Sequence, residues 1–165
     1  MTTYRTEVVP GLHVGDYQEA LHELRSPRRH LLVVCAETPE GLLAGLGLGL
    51  GFPPSLTLFL PLVDDEEPMT LKLQHETRQT ARLVARLVPN QSVLITCGRG
   101  LNRSALVAAL ALFELGRSPT EAEQLVRAAR GPLALGNEQF LRMLHGEEVT
   151  GGPWGGRLPV STEPE

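Results

Sequence analysis

The chain has 165 residues, of which 42% are hydrophobic and 21% charged, values that are ordinary for one globular domain with a buried core. Its formal net charge of −4 disfavours an extended surface for nucleic acid or anionic membrane, but it leaves room for a small basic pocket that binds an anion. Two cysteines, which could form one bridge, do not suggest a disulfide framework. Without a signal-peptide pattern or an apolar run near the roughly 20 residues that span a bilayer, we expect a cytoplasmic protein with no membrane span.

The first elements predict an opening hairpin, a helix and a buried strand. Residues 6–15 form two short extended pieces around a Pro-Gly pair, which is typical of a hairpin. Asp16 is placed to cap a helix over 17–25. The continuous apolar run that follows, which ends at Cys35, predicts a strand buried on both faces of a sheet. We interpret Cys35 as a small core residue.

The middle of the chain combines a glycine-rich stretch with a strand and a long helix. The segment 41–54 lacks the Gly-Lys-Ser/Thr ending of a nucleotide-binding loop, so we expect an apolar surface loop there. A strand over 55–63 then leads directly into four carboxylates at 64–67. Apolar residues at three- and four-residue spacing predict a helix over 69–88.

The last elements continue the alternation of strands and helices. A buried strand over 92–96 precedes a loop, and an apolar helix runs from Arg103 to Gly116. Ser118 has the capping-box spacing for a helix that ends near Arg130, and a short helix follows over 138–146. We therefore predict an α/β fold, in which helices flank both faces of one central sheet, over residues 1–146. Residues 147–165 are rich in glycine and proline and predict a loose tail.

The loop that begins at Cys97 carries the strongest chemical signal. Five residues separate Cys97 from Arg103, and Ser104 follows at once. Backbone N–H groups of a glycine-containing loop at a helix N-terminus converge on one point, where the helix dipole adds positive charge. A tetrahedral phosphate fits this position, and an arginine donates two parallel hydrogen bonds to it. The same field favours a thiolate, so we predict that Cys97 is a nucleophile.

A cysteine that attacks phosphorus needs a partner that protonates the leaving oxygen. The acidic loop after the preceding strand offers Asp64 or Asp65, at the sheet edge where α/β sites assemble. Ser104 is placed to hydrogen-bond the sulfur and assist its departure, besides capping the helix. The five histidines are scattered without ligand spacing, so we expect neither a metal nor a cofactor.

The stretch "VLITCGRGLNRSALVAALAL" resembles the signature of the cysteine-dependent protein phosphatases, in their small dual-specificity branch. The resemblance extends over residues 10–144, including "PGLHVGD", "LFLPLVDD" and the closing helices. It implies one mixed, largely parallel sheet with helices on both faces. It also implies the site residues by position: nucleophile Cys97, clamp Arg103, acid Asp64 (with Asp65 as the alternative), helper Ser104, a supporting Asn137, and a phosphate cradle of Gly98, Arg99, Gly100, Leu101, Asn102 and Arg103.

Two residues depart from the family pattern. The family usually has histidine before the cysteine, where it helps orient the loop, and this chain has Thr96. A threonine hydroxyl is able to hydrogen-bond the loop, so we expect a slower enzyme rather than an inactive one. Arg99 is an unusual charged residue at the outer rim of the loop; it either faces solvent or extends anion binding beyond one phosphate.

The resemblance implies a phosphomonoester hydrolase that acts on phosphotyrosine in proteins and, with a shallow pocket, on phosphoserine and phosphothreonine. Phosphoinositides, nucleotides and RNA 5′-phosphates stay open as alternative substrates, although the net negative charge disfavours nucleic acid. Two other functions stay open. One is a phosphate-binding module without turnover, for which Thr96 is the only support, and the other is sulfur transfer of the rhodanese kind.

Overall fold

A computed structural model of the protein describes residues 5–25, 31–38 and 57–146. The glycine-rich segment 41–54 and the tail 147–165 lie outside these described residues, so our interpretations of both stay predictions.

The described strands form one sheet with the order β1-β2-β5-β3-β4. β1 and β2 make the predicted antiparallel hairpin, with Gly11 at a φ of +86° in its turn, and every other neighbouring pair is parallel. The sheet is therefore mixed and largely parallel, as predicted. Its strands are β1 (Arg5–Val9), β2 (Leu12–Gly15), β3 (Leu31–Cys35), β4 (Thr57–Leu60) and β5 (Val93–Thr96).

Two of the described helices begin at the residues that the sequence marks as caps. Asp16 Oδ1 accepts hydrogen bonds from two backbone N–H groups of the first turn, and Ser118 and Glu121 form the complete capping box with Pro119 between them. None of the helices in the described ranges is long and apolar enough to cross a membrane. They are α1 (Tyr17–Arg25), α2 (Leu71–Leu87), α3 (Arg103–Glu114), α4 (Pro119–Arg130) and α5 (Glu138–Leu144).

Alternating side chains of the central strands supply two separate cores. Leu32, Val34 and Leu94 pack with Ala20 and Leu24 of α1 on one face of the sheet. The intervening residues of the same strands face the larger core, which contains the other four described helices. Helices therefore cover both faces, which confirms the predicted architecture and explains why β3 and β5 are buried at every position.

The C-terminal ends of β5, β3 and β4 lie at the same edge of the sheet because these strands are parallel. The loop that begins at Cys97 follows β5 at this edge, and the acidic loop that begins at Pro61 follows β4. Helix α3 leaves the cysteine loop and is buried at every position from Ser104 to Leu112. The edge is thus built on the most deeply buried strand and helix of the described chain.

Candidate active site

Cys97 lies at the exit of β5 with its thiol pointing toward the start of α3. Cys97 is 2% exposed, and its Sγ lies 3.1 Å from the hydroxyl oxygen of Ser104, a residue that is also buried. The backbone N–H of Cys97 donates to the carbonyl of Gly15 on β2. The strand and the first turn of the helix therefore fix the sulfur together.

The carbonyl groups of the cysteine loop are bound from outside by the C-terminal part of the fold. The guanidinium of Arg130 donates from Nε to the Gly100 carbonyl at 2.9 Å and from Nη2 to the Arg99 carbonyl at 3.1 Å. The backbone N–H of Leu135 donates to the Leu101 carbonyl at 2.8 Å. Three successive carbonyls are thus satisfied by the scaffold.

The backbone N–H groups of the same loop, unlike its carbonyl groups, are not bound by the described scaffold. Those from Gly98 to Asn102 donate no hydrogen bond to any residue in the described ranges, and Arg103 begins α3, whose first N–H groups are unpaired by geometry. The Nε of Arg103 is also buried without an acceptor among the described residues. A buried donor such as this Nε is costly unless a ligand accepts from it, and an oxyanion is a ligand that matches it together with the loop amides.

Arg103 is held in place by a tyrosine that the sequence did not indicate. The guanidinium carbon lies 5.9 Å from the ring centroid of Tyr17, at a distance typical of a cation–π contact. The Tyr17 hydroxyl donates to the carbonyl of Cys35 at 3.0 Å. Burial raises the pKa of Tyr17 and Arg103 opposes the shift, so the phenol stays protonated at neutral pH. A side chain on Gly98 would place its Cβ 3.1 Å from Arg103 Nη2, so the glycine allows the close approach.

The acidic loop reaches the cysteine loop through Asp64. Its Oδ2 accepts from Asn102 Nδ2 at 3.0 Å, and its Oδ1 accepts from Asn137 Nδ2 at 2.9 Å. The carboxylate of Asp65 instead accepts from the backbone N–H of Glu67 within its own turn. Of the two candidate acids, only Asp64 is joined by a side-chain hydrogen bond to the cysteine loop.

Solved structures are similar to this chain in fold, whereas the comparisons of sequence find no match. No protein-family model matches the sequence, and no curated protein matches it either. Among solved structures, human DUSP28 superposes with a TM-score of 0.68 at 25% identity, covering 88% of this chain and 93% of that one. A mouse protein assigned as a dual-specificity phosphatase, solved in complex with zinc tungstate, gives a TM-score of 0.66 at 27% identity over 88% of this chain and 87% of its own. The PTP-2 phosphatase of Cydia pomonella superposes with a TM-score of 0.67 at 21% identity, covering 87% of this chain and 90% of its own.

The chain is similar in structure to small dual-specificity phosphatases of the cysteine-dependent superfamily. Its sheet and helices have the dual-specificity phosphatase fold over most of the chain, which confirms the resemblance drawn from the cysteine loop.

Thr96 takes a different partner from the one expected for a dual-specificity phosphatase loop. Its hydroxyl donates to the carbonyl of Val33 on β3 at 3.2 Å, so its one proton is directed across the sheet instead of toward the loop. Thr96 is completely buried. The Thr96 proton is therefore used by the neighbouring strand and does not make the hydrogen bond to the cysteine loop of which a threonine hydroxyl is capable.

Asn137 and Arg99 also differ in detail from the sequence-based picture. The side chain of Asn137 binds the acidic loop, at Asp64 and at the backbone carbonyl of Asp65, and only its backbone N–H reaches the cysteine loop, at Asn102 Oδ1. Its own Oδ1 caps α5. Arg99 is exposed, and its carbonyl is bound by Arg130, a contact that the sequence did not indicate.

The second cysteine lies beside the site but does not share its chemistry. Cys35 is completely buried at the end of β3, and burial raises its pKa well above the usual range, so it stays a thiol at neutral pH. Both cysteines are free. In the described ranges, no three His, Cys, Asp or Glu side chains lie together in a way that suits a metal ion.

Proposed function

We propose that the protein hydrolyses phosphomonoesters through a phosphocysteine on Cys97, with phosphorylated proteins as its substrates. The observation that carries the proposal is the set of unpaired donors around the thiol: the loop amides and the buried Nε of Arg103. These donors match the equatorial oxygens of a phosphoryl group in transfer, where charge is spread over three oxygens.

The first step forms the phosphocysteine. The Cys97 sulfur attacks phosphorus, the S–P bond forms, and the P–O bond to the leaving group breaks on the opposite side. The proton on the carboxyl of Asp64 passes to the leaving oxygen, which departs as an alcohol or phenol. Arg103 and the loop amides bind the phosphoryl oxygens throughout.

The second step hydrolyses the intermediate. The Asp64 carboxylate accepts a proton from a water molecule, whose oxygen forms a bond to phosphorus while the S–P bond breaks. The sulfur leaves as a thiolate, and the hydroxyl of Ser104, 3.1 Å from it, donates a hydrogen bond to the developing charge. Inorganic phosphate is released, and the thiolate is ready for the next cycle.

Protein substrates are supported by the neighbours in structure, two of which carry the dual-specificity phosphatase assignment or name at 25% and 27% identity. The proposal is that this chain acts on phosphotyrosine and extends to phosphoserine and phosphothreonine. It follows the expectation that a cytoplasmic phosphatase domain over residues 1–146 has a shallow pocket that admits both kinds of side chain.

The test measures phosphate release from phosphopeptides and from a generic aryl phosphate between about pH 5 and 8. We expect turnover by the wild type and loss of it in Cys97→Ser. The matched control is Cys35→Ser, the other buried cysteine, which should keep turnover. Asp64→Asn should lower kcat/KM by about 100-fold or more, the usual contribution of a general acid.

Three outcomes would contradict the proposal. Oxyanion binding without any release of phosphate would make the protein a phosphate-binding module. Transfer of sulfur from thiosulfate that Asp64→Asn leaves intact, without release of phosphate from any substrate, would point to sulfur transfer, which needs no acid. Faster release from a phosphoinositide, a nucleotide or an RNA 5′-phosphate than from every phosphopeptide would keep the chemistry and overturn the choice of substrate.

A further inference from the structure

The side chain of Asn102 joins three separate segments of the site. It lies in the cysteine loop directly before Arg103. Its Nδ2 donates to Asp64 Oδ2 at 3.0 Å in the acidic loop. Its Oδ1 accepts from the backbone N–H groups of Gly136 at 2.9 Å and Asn137 at 3.4 Å, in the turn before α5.

Asn137 closes these contacts into a ring. Its Nδ2 donates to Asp64 Oδ1 at 2.9 Å and to the backbone carbonyl of Asp65 at 2.9 Å. Its Oδ1 accepts from the backbone N–H groups of Gln139 and Phe140 at the start of α5, which anchors it to a folded helix. Each oxygen of the Asp64 carboxyl group therefore has an amide donor on a different segment.

The chemistry of the ring fixes the orientation of the Asn102 amide. Rotating it by 180° would set its NH2 group against the N–H groups of Gly136 and Asn137 and its oxygen against the Asp64 carboxylate. Both new contacts would be repulsive, so only the arrangement found here satisfies all the groups.

We propose that Asn102 is a positioning residue that sets the carboxyl group of Asp64 relative to the phosphate clamp. The inference rests on the proposed function and deepens it. Asp64 is an exposed residue on a loop, and an untethered carboxyl group of this kind samples several rotamers. A general acid must lie within hydrogen-bond reach of the leaving oxygen. Because Asn102 directly precedes Arg103, its side-chain amide fixes the position of the Asp64 carboxyl group relative to the phosphate that Arg103 binds.

The amide hydrogen bonds to Asp64 also favour the charge that its carboxyl group gains when it gives up a proton. When Asp64 gives its proton to the leaving oxygen, the new O–H bond forms on the substrate and the carboxyl group becomes a carboxylate. Amide donors on both oxygens bind a carboxylate more strongly than a carboxylic acid. The Asn102 amide therefore stabilises the Asp64 carboxylate that the transfer produces, and it also fixes the position of that group.

The test compares kcat/KM for aryl phosphates whose phenols differ in acidity, because only poor leaving groups need the acid. We expect Asn102→Ala to lower kcat/KM about ten-fold for phenyl phosphate, as expected for a lost hydrogen bond to a charged group. The loss should be about two-fold or less for an activated nitrophenyl phosphate. In an Asp64→Ala background the same substitution should add no leaving-group-dependent loss.

Asn102→Asp separates positioning from structural support. The introduced side chain keeps the oxygen that accepts from Gly136 and Asn137 but replaces the donor to Asp64 with a like charge. We expect it to retain the thermal stability of the fold and to lose rate chiefly on poor leaving groups. Asn102→Ala serves the same comparison if its melting temperature stays near that of the wild type.

The outcomes are distinguishable. A loss of rate that is equal for all leaving groups, or that persists in full in the Asp64→Ala background, overturns the positioning role while leaving the phosphatase function intact. Absence of turnover by the wild type on the whole series overturns the proposed function and this inference with it.

Discussion

The guanidinium of Arg130 donates a hydrogen bond of 2.9 Å to the carbonyl oxygen of Gly100, so the last residue of α4 fixes the middle of the cysteine loop. The same guanidinium binds the Arg99 carbonyl and, through Nη1, the Thr6 hydroxyl on β1. Burial lowers the pKa of Arg130, and the charges of Asp16 and Cys97 oppose the shift. A cation that is partly removed from water thus holds the loop in a shape that leaves its amides for an anion.

Arg130→Met should therefore weaken oxyanion binding. Without the guanidinium, two loop carbonyls lose a charge-assisted donor, and we expect at least about a ten-fold loss of tungstate affinity. Isothermal titration calorimetry measures it directly. Arg117→Met, which removes an exposed arginine after α3, is the matched control and should bind as the wild type does. An unchanged affinity in Arg130→Met would show that the loop holds its own shape.

Two glycines at positive φ allow the cost of backbone strain to be compared with the added cost of a close contact. Gly100 has a φ of +67°, and a Cβ there would lie 2.7 Å from the Gly15 carbonyl oxygen and 2.5 Å from Arg130 Nη2. Gly116 has a φ of +100°, and no atom of the described residues lies within 4 Å of such a Cβ. Gly116→Ala should cost about 1–2 kcal/mol of unfolding free energy, the cost of a left-handed backbone. Gly100→Ala should cost clearly more in urea denaturation, and equal costs would contradict the contact.

Ser104→Ala should slow the second chemical step alone. The hydroxyl lies 3.1 Å from the Cys97 sulfur, which leaves the phosphocysteine in the proposed mechanism. We expect kcat to fall about ten-fold while kcat/KM for an aryl phosphate stays within about two-fold, with a burst of phenol in the first turnover. Thr77→Val removes another buried hydroxyl, in α2, and should produce no burst. A parallel fall in kcat and kcat/KM would place the serine in the first step instead.

Tyr17→Phe should change the dependence of stability on alkaline pH. Burial raises the pKa of Tyr17 above its usual value of 10.0, so the unfolded chain loses the phenolic proton first. The stabilising contribution of the phenol is complete below about pH 9 and is lost as the pH rises toward the raised pKa. The stability advantage of the wild type over Tyr17→Phe should shrink between about pH 9 and 11. Cys35 titrates alike in both proteins, and a constant advantage would contradict the assignment.

Tyr17→Leu tests the ring rather than the hydroxyl group. Leucine retains an apolar contact but gives no π face to Arg103, whose guanidinium lies 5.9 Å from the ring centroid. We expect kcat/KM to fall about three-fold to thirty-fold, which corresponds to a cation–π contribution of about 0.5–2 kcal/mol. Tyr17→Phe retains the ring and should keep the rate. Equal rates in both variants would show that the tyrosine does not orient the arginine.

Local patterns in the sequence were sufficient for the elements and for the reactive loop. Asp16 and Ser118 identify their helices because capping depends on groups within three residues. The spacing of Cys97 and Arg103 likewise reflects a loop that closes on itself. The apolar runs of β3 and β5 indicate strands buried on both sides, which the two cores explain.

The contacts that hold the loop from outside could not be predicted in this way. Arg127 and Arg130 both look like ordinary basic residues in the last turn of a helix, yet only Arg130 reaches the cysteine loop; Arg127 binds Glu123 and the α4–α5 turn. Tyr17 looks like the first residue of an amphipathic helix. Its contact with Arg103 depends on how α1 lies on the sheet, which no local spacing encodes. The partner of Thr96 depends on the neighbouring strand for the same reason.

The proposed reactive residues are synthesised earlier in translation than the residues that hold them in position. Everything from Asp64 to Ser104 is synthesised before Arg130, Leu135 and Asn137, whose contacts shape the cysteine loop and hold the acid. Because chains grow from the N-terminus, a nascent protein therefore carries a complete set of reactive groups before it has a site. The cysteine loop and Asp64 take their described arrangement only once α4 and α5 dock, so we expect the proposed activity to appear only when these helices have folded.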